Sequence, residues 1–159
     1  MEGRAPIVEA PQAIVDLPVE AHLPDDYVAD EAHKLELYRR LARARTTGDL
    51  AAFRQEVIDR YGPMPDPVIR LVEVAELRMT AEAAGVSSIS REEGWLVVRF
   101  GASLTRATAM RLLAGPSLPG LRPSDVTFAS NQVRLRLPTN PLKGWTLTRA
   151  VVERLSAAT

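Results

Sequence analysis

The spacing of apolar residues changes once along this chain, and that change constrains the fold more than any other feature. Between about residues 30 and 84, apolar side chains recur every three or four residues, which is the period of an α-helix. After Gly85 they recur at every second residue, as at Val133, Leu135 and Leu137, which is the period of a β-strand. Helices followed by strands predict an α+β fold rather than alternating βαβ units.

Three helices are predicted in the first half of the chain. The first spans about residues 30–45 behind Asp30, and the second spans about residues 49–61. The third begins at Asp66, read as a capping side chain before a proline, and ends at Gly85 as a left-handed C-cap. The first helix has two apolar stripes and is expected to pack on two sides; they are Leu35, Tyr38 and Ala42, and Leu37, Leu41 and Ala44. The expected buried stripe of the third helix is Val68, Val72, Ala75, Met79 and Ala83.

The remaining elements are short strands and two further helices. A helix capped by Ser103 is predicted over residues 104–114, and a terminal helix over residues 144–157. The predicted strands are residues 14–17, 86–90, 95–100, 126–129 and 133–137. The prediction is therefore an α+β fold in which an N-terminal half of about three helices packs with a small antiparallel sheet, followed by a C-terminal helix. Residues 1–13 are interpreted as a linker stub and residues 14–159 as a single domain.

Composition excludes several classes of protein. The 159 residues include 20 Lys plus Arg and 20 Asp plus Glu, so no overall basic field points to nucleic acid. With no cysteine, the chain has no disulfide framework and no Cys-based zinc site or thiol nucleophile. It lacks an apolar run of the ~20 residues that a membrane span needs, and residues 1–13 lack the apolar core of a signal peptide. A cytoplasmic protein without a membrane partner is expected.

No catalytic, cofactor or metal site is predicted. Gly115 and Gly120 have the spacing of a phosphate-binding loop, but Leu121 and Arg122 follow where Lys and Ser or Thr are required. The two histidines, His22 and His33, do not have a metal-binding spacing and are interpreted as ordinary surface or loop residues. No small-molecule substrate is expected.

The second helix has a distinctive polar face. Leu50, Phe53, Val57 and Tyr61 lie on one side of it, which leaves Glu56 and Asp59 on the opposite side, one turn apart. Arg60 is placed to pair with Glu56. From the residues alone this is a solvated acidic face, because paired catalytic carboxylates need a cleft and a raised pKa. A small hydrolase built on Glu56 and Asp59 is the alternative.

A second polar surface is predicted on the sheet. Arg134 and Arg136 alternate with apolar residues along one strand, and Arg99 falls on a neighbouring one. Such a face could bind phosphates, so a nucleic-acid-binding module is the alternative function. A solvated sheet face is the simpler interpretation. The two tryptophans, Trp95 and Trp145, are expected to be core or helix-packing aromatics rather than stacking platforms.

Three segments resemble a known family. Residues 17–28 (LPVEAHLPDDYV), residues 35–41 (LELYRRL) and residues 56–65 (EVIDRYGPMP) are similar to the C-terminal domain of bacterial transcription-repair coupling factors, the Mfd or TRCF family. The last segment resembles the family's Glu-Leu-Ile-Asp-Arg-Phe-Gly motif, with Tyr61 in place of Phe. The resemblance covers about residues 14–90 and is loose beyond Trp95.

The resemblance implies a function. Parent proteins of this family carry a UvrB-like N-terminal module, an RNA-polymerase-binding domain and an ATP-driven DNA translocase, whose motor motifs this chain lacks. The fragment is therefore expected to be a non-enzymatic regulatory domain, in the bacterial cytoplasm, of a protein that acts with RNA polymerase and DNA in transcription-coupled nucleotide excision repair. It would dock in cis on the UvrB-like module and mask UvrA recruitment. Residues matching Glu56 and Asp59, with their neighbour Arg60, would form that intramolecular interface.

Overall fold

The structure is a computed structural model that describes residues 12–114, 118 and 121–157. These residues form an α+β fold, as predicted, with five α-helices and a five-stranded sheet. The helices are α1 Glu31–Arg43, α2 Thr47–Tyr61, α3 Asp66–Ala84, α4 Arg106–Leu113 and α5 Pro141–Ser156. The strands are β1 Ile14–Asp16, β2 Val86–Glu92, β3 Trp95–Phe100, β4 Val126–Phe128 and β5 Gln132–Arg136.

Local capping determines where the second helix begins. The Thr46 hydroxyl accepts a hydrogen bond from the Asp49 backbone N–H at 3.1 Å, and the Asp49 carboxylate accepts one from the Thr46 N–H at 3.1 Å. This capping box satisfies two backbone donors at the start of a helix. Helix α2 therefore begins at Thr47, two residues before the predicted start.

The predicted start of α3 at Asp66 is confirmed but its predicted cap is wrong, and the predicted starts of α4 and α5 are wrong. Asp66 is the first residue of α3 and makes no capping bond, because Pro65 is in the cap position. Helix α4 is capped by Thr105, which accepts from the Thr108 N–H, and not by Ser103. Helix α5 begins at Pro141 rather than at residue 144, since the Asn140 side chain caps it. The predicted left-handed C-cap at Gly85 is confirmed, with φ of 83°.

The sheet has the order β1-β2-β3-β5-β4. The neighbouring pairs β2–β3, β3–β5 and β4–β5 are antiparallel, whereas β1 is parallel to β2. The parallel pair arises because the chain passes through all three N-terminal helices between these strands and re-enters the sheet in the same direction. A tight turn joins β2 to β3, where Glu93 and Gly94 have φ of 51° and 82°. Two successive positive φ angles match the twist of a hairpin.

Two apolar cores share α3. The N-terminal half of α3 packs with α1 and α2 and forms the helical core with them. Its C-terminal half packs with the sheet, α4 and α5 and forms the sheet-side core with them. The buried residues of α3 are Val68, Val72, Ala75, Leu77, Ala81 and Ala84. The predicted stripe fails after Ala75, since Met79 is only partly buried and Ala83 is exposed. The buried face of α3 changes there because the neighbouring layer changes from helices to a sheet.

Helix α1 packs mainly through one of its two predicted stripes. Leu37, Leu41 and Ala44 are buried, whereas Leu35 is 50% exposed and Ala42 is also exposed. Of the other stripe only Tyr38 packs against the core, so the predicted second packing side is wrong for Leu35 and Ala42.

The predicted linker lies mainly outside the described residues, as do Gly115 and Gly120. Ala13, which was assigned to the linker, is buried, and its N–H donates to the Glu82 carboxylate at 3.0 Å. Within the described residues no helix combines the length and the apolar character that crossing a membrane requires.

Candidate functional site

Glu56 lies where polar side chains of α1 and α2 meet, a surface that we call the polar edge. Arg40 Nη1 on α1 donates a hydrogen bond to Glu56 Oε1 at 2.5 Å, and His33 Nε2 lies 3.6 Å from Glu56 Oε2. The hydrogen bond from Arg40 is the main reason that the pKa of Glu56 lies below its usual range, and the charge of Arg60 contributes. The Glu56 side chain is 37% exposed. Its carboxylate is therefore shared between its own domain and solvent.

His33 links the same two helices. Its Nε2 lies 2.9 Å from Arg60 Nη1, and its Nδ1 is hydrogen-bonded to the Tyr61 hydroxyl. Both ring nitrogens of His33 therefore have partners on α2. The His33 side chain is 12% exposed and packed between the two helices, unlike the ordinary surface or loop histidine of the prediction. Arg60, predicted to pair with Glu56, makes its hydrogen bond to His33.

Asp59 has a different environment. It is exposed, and Asp59 Oδ1 accepts a hydrogen bond from Gln55 Nε2 at 2.9 Å. No cation among the described residues forms an ion pair with it, whereas Glu56 is paired with Arg40. The two carboxylates of α2 therefore differ: Glu56 is anchored towards α1, and Asp59 is available to a cation from outside.

The geometry does not support the hydrolase alternative. A cavity of about 390 Å³ lies between the segment after β1 and the start of α5, and neither Glu56 nor Asp59 lines it. Neither carboxylate lines a second cavity of about 130 Å³. A general acid needs a raised pKa, whereas the pKa of Glu56 is lowered. Within the described part of the chain, no three His, Cys, Asp or Glu side chains converge to hold a metal ion.

The predicted arginine face lies on the sheet. Trp95 pairs with Arg136 across the β3–β5 ladder, and Val97 pairs with Arg134. The Arg134 and Arg136 guanidinium carbons lie 4.8 Å and 4.2 Å from the centroid of the Trp95 ring. Arg99 has a different partner, since its Nη2 donates a hydrogen bond to Glu92 Oε2 at 2.9 Å. The structure thus brings Arg134 and Arg136 together and gives Arg99 an acidic partner.

The two tryptophans have different roles. Trp145 is buried in the sheet-side core, and its Nε1–H donates to Glu73 Oε1 at 3.2 Å, as expected of a packing aromatic. The same prediction is wrong for Trp95. Leu96 and Val98 of β3 point into the core, so the alternation of the strand places Trp95 on the opposite face.

A comparison with known families decides which family this fold represents. The model of the TRCF domain matches residues 17–110, which is more than half of the chain. The chain belongs to the TRCF domain family. The match covers α1, α2, α3 and the β2–β3 hairpin, and it includes the whole polar edge formed by Glu56, Asp59 and their partners.

The chain is similar to several transcription-repair-coupling factors. The chain is 46% identical over 76 residues to the transcription-repair-coupling factor of Mycobacterium tuberculosis (strain CDC 1551 / Oshkosh), covering 48% of this chain and 6% of that protein. It is 32% identical over 134 residues to that of Staphylococcus aureus (strain USA300), covering 84% of this chain and 12% of that protein. The chain therefore spans only a small part of the length of these relatives.

A solved structure has the same fold. The crystal structure of the C-terminal domain of a transcription-repair coupling factor matches with a TM-score of 0.70 and 18% sequence identity. The match covers 94% of this chain and 98% of that one. The architecture of the TRCF domain therefore extends beyond residue 110, where the family model ends.

Sequence reasoning missed most of the polar network of this TRCF domain. Arg40, His33 and Tyr61 were not expected to join α1 to α2 through Glu56 and Arg60. A helical wheel gives the faces of one helix but not the angle between two. The spacing of His33 and Arg40, seven residues apart on one face of α1, is the one sequence signal that could have indicated it.

Proposed function

We propose that this TRCF domain is a non-catalytic regulatory domain of a transcription-repair coupling factor. It docks in cis on the UvrB-like N-terminal module of the parent chain and masks the surface that recruits UvrA. Its setting is transcription-coupled nucleotide excision repair in the bacterial cytoplasm, where the parent protein acts with RNA polymerase and DNA. The observation that carries the proposal is the exposed Asp59 carboxylate, without a cation partner among the described residues, beside the half-exposed Glu56.

The two carboxylates would contribute unequally. Glu56 is already bonded to Arg40, so a docking cation would have to share it. Asp59 has only the Gln55 amide, which a cation can replace at small cost. An exposed ion pair contributes about 0.2–1 kcal/mol, and a desolvated one costs about 2–5 kcal/mol when one partner is removed. We therefore expect Asp59 to contribute most of the electrostatic attraction to the partner module. Glu56 would mainly keep α1 and α2 joined through its bond to Arg40.

Covalent attachment makes such a weak contact sufficient. A partner in the same chain is present at an effective concentration of about 1 mM. A contact with an intrinsic Kd of about 10 µM would then be closed about 99% of the time and could still open when the parent engages another partner. A small polar interface therefore suits autoinhibition better than a large apolar one.

The test is UvrA binding to the full-length parent. We expect Glu56→Gln with Asp59→Asn to increase UvrA affinity, because the closed state loses its ionic contacts. The matched control is Glu93→Gln with Glu153→Gln, which removes two exposed carboxylates elsewhere and should leave UvrA affinity unchanged. Unfolding curves on all variants check that each is folded. An unchanged UvrA affinity in a folded Glu56/Asp59 variant would exclude the proposed docking surface.

A further inference from the structure

The sheet has a polar face that the proposed docking function does not use. Its centre is the arginine–tryptophan patch, defined as Trp95, Arg134 and Arg136. Both guanidiniums lie against one indole ring, at 4.8 Å and 4.2 Å from its centroid. The patch lies on the face opposite the sheet-side core, since Val133 and Leu135, which alternate with the arginines, are buried in that core.

The patch has a positive charge that is not neutralised locally. Arg99, on the same face, is paired with Glu92 at 2.9 Å. Neither Arg134 nor Arg136 forms an ion pair with any described carboxylate. Glu92 remains close enough for the charge of Arg134 to contribute to its lowered pKa, but its carboxylate bonds to Ser90 and Arg99. Two guanidiniums side by side without a carboxylate form a site for an anion with more than one charge.

The indole ring holds these guanidiniums in place. A free arginine loses up to about 2 kcal/mol of side-chain entropy when it is immobilised by a ligand. Contact with Trp95 restricts Arg134 and Arg136 before any ligand arrives, so less of that entropy is lost on binding. Val97, directly opposite Arg134, is only 1% exposed, which shows that the side chains of this face are packed together.

We propose that the arginine–tryptophan patch binds a single-stranded nucleic acid, with Arg134 and Arg136 donating to phosphate oxygens and Trp95 positioning them. Two observations favour this ligand. The anion that best matches two adjacent guanidiniums is a chain of phosphates. An open antiparallel sheet face with an aromatic ring and guanidinium planes also offers stacking to unpaired bases, which an acidic peptide cannot use.

The patch is independent of the polar edge on α2. Trp95, Arg134 and Arg136 lie on β3 and β5, and Glu56 and Asp59 lie on α2 in the other core. Substitutions in the patch therefore leave the proposed docking residues intact, and the two proposals can fail separately.

Direct binding of the 159-residue chain to a fluorescein-labelled oligo(dT), measured by fluorescence anisotropy, tests the proposal. We expect binding at low salt that weakens with added salt, with a log–log slope of about −1.4 if two phosphates are contacted. Arg134→Ala with Arg136→Ala should weaken binding at least about tenfold and remove most of this slope. The matched control, Arg106→Ala with Arg111→Ala, removes two exposed charges from α4 and should change the affinity less than about twofold.

Two further variants separate charge from positioning. Arg134→Lys with Arg136→Lys keeps the charge but loses the planar donors, and we expect affinity between that of the wild type and that of the alanine variant. Trp95→Leu keeps an apolar strand residue and should weaken binding without changing either charge. Far-UV circular dichroism and urea unfolding check each fold.

Three outcomes would overturn the proposal. The first is no binding of oligo(dT) by the wild-type chain at low salt. The second is an equal loss in the α4 control, which would indicate attraction to charge anywhere on the surface. The third is that oligo-glutamate displaces the labelled oligo(dT) as effectively as unlabelled oligo(dT) does at the same charge concentration. This result would indicate a site for an acidic protein.

Discussion

Arg40 on α1 donates a hydrogen bond to Glu56 on α2, sixteen residues further along the chain. The carboxylate that the family resemblance assigns to a partner module is therefore already bonded within its own domain. Docking on Glu56 would compete with this internal bond or extend it, whereas docking on Asp59 would not.

Removal of Arg40 should release Glu56. We expect Arg40→Ala to raise the pKa of Glu56 towards its ordinary value of 4.5, because Arg40 is the largest cause of its lowering. The free energy of unfolding should fall by less than about 1 kcal/mol, since both side chains are partly exposed. NMR titration of the Glu56 carboxyl carbon and urea unfolding measure these effects. The control is Arg39→Ala, which changes an exposed neighbour; an equal pKa change in both variants would contradict the pairing.

The lowered pKa of Glu56 makes stability depend on pH. A carboxyl group whose pKa is lower in the folded state stabilises the fold above its unfolded pKa, and this contribution is lost as pH falls through the folded pKa. We therefore expect the urea midpoint of the wild-type chain to fall below about pH 4.5. Glu56→Gln should show a shallower fall, with the remainder due to Asp25, Asp49 and Glu92, whose pKa values are also lowered. Superimposable pH profiles would show that Glu56 is not linked to folding.

Phe53 anchors α2 to the helical core. It is 2% exposed, so Phe53→Ala should reduce the free energy of unfolding by about 3–5 kcal/mol through lost burial and the cavity left behind. Ile58 on the same helix is 41% exposed, and Ile58→Ala should cost less than about 1 kcal/mol. Urea unfolding of both variants tests the register of α2. Equal losses would mean that the faces of α2 are assigned wrongly.

Two glycines with similar backbone angles allow strain to be separated from crowding. Gly85 and Gly94 have φ of 83° and 82°. A Cβ at Gly85 would lie 2.5 Å from Ser103 Oγ and 3.2 Å from Leu104 Cβ, whereas a Cβ at Gly94 would meet nothing within 4 Å. We expect Gly94→Ala to cost about 1–2 kcal/mol from backbone strain and Gly85→Ala to cost about 2–5 kcal/mol from strain and crowding. Thermal or urea unfolding compares them, and Gly94→Ala as the more damaging change would refute the argument.

The order and type of the elements could be predicted because hydrophobic periodicity is local. Phe53, Val57 and Gly85 are where their spacing and chemistry predict. Helix starts were less predictable because several polar residues compete for each cap. Ser103 and Thr105 are both capable caps, and α4 is capped by Thr105.

Contacts between elements were not predictable from the pattern. Helical spacing places Glu56 away from the core of α2, but nothing in it shows that α1 brings Arg40 and His33 to the same edge. The predicted burial of Trp95 is wrong for a related reason. A large aromatic residue favours burial in general, whereas the alternation of β3 gives the inward positions to Leu96 and Val98.

The position of α3 in both cores determines how the domain opens. Its 19 residues form a helix about 28 Å long, with Val72 buried in the helical core and Leu77 buried in the sheet-side core. If one core unfolds locally, the half of α3 in the other core remains packed. Amide hydrogen exchange at the two ends of α3 should then report the separate opening of each half. Amides near its centre should exchange only when the whole domain unfolds.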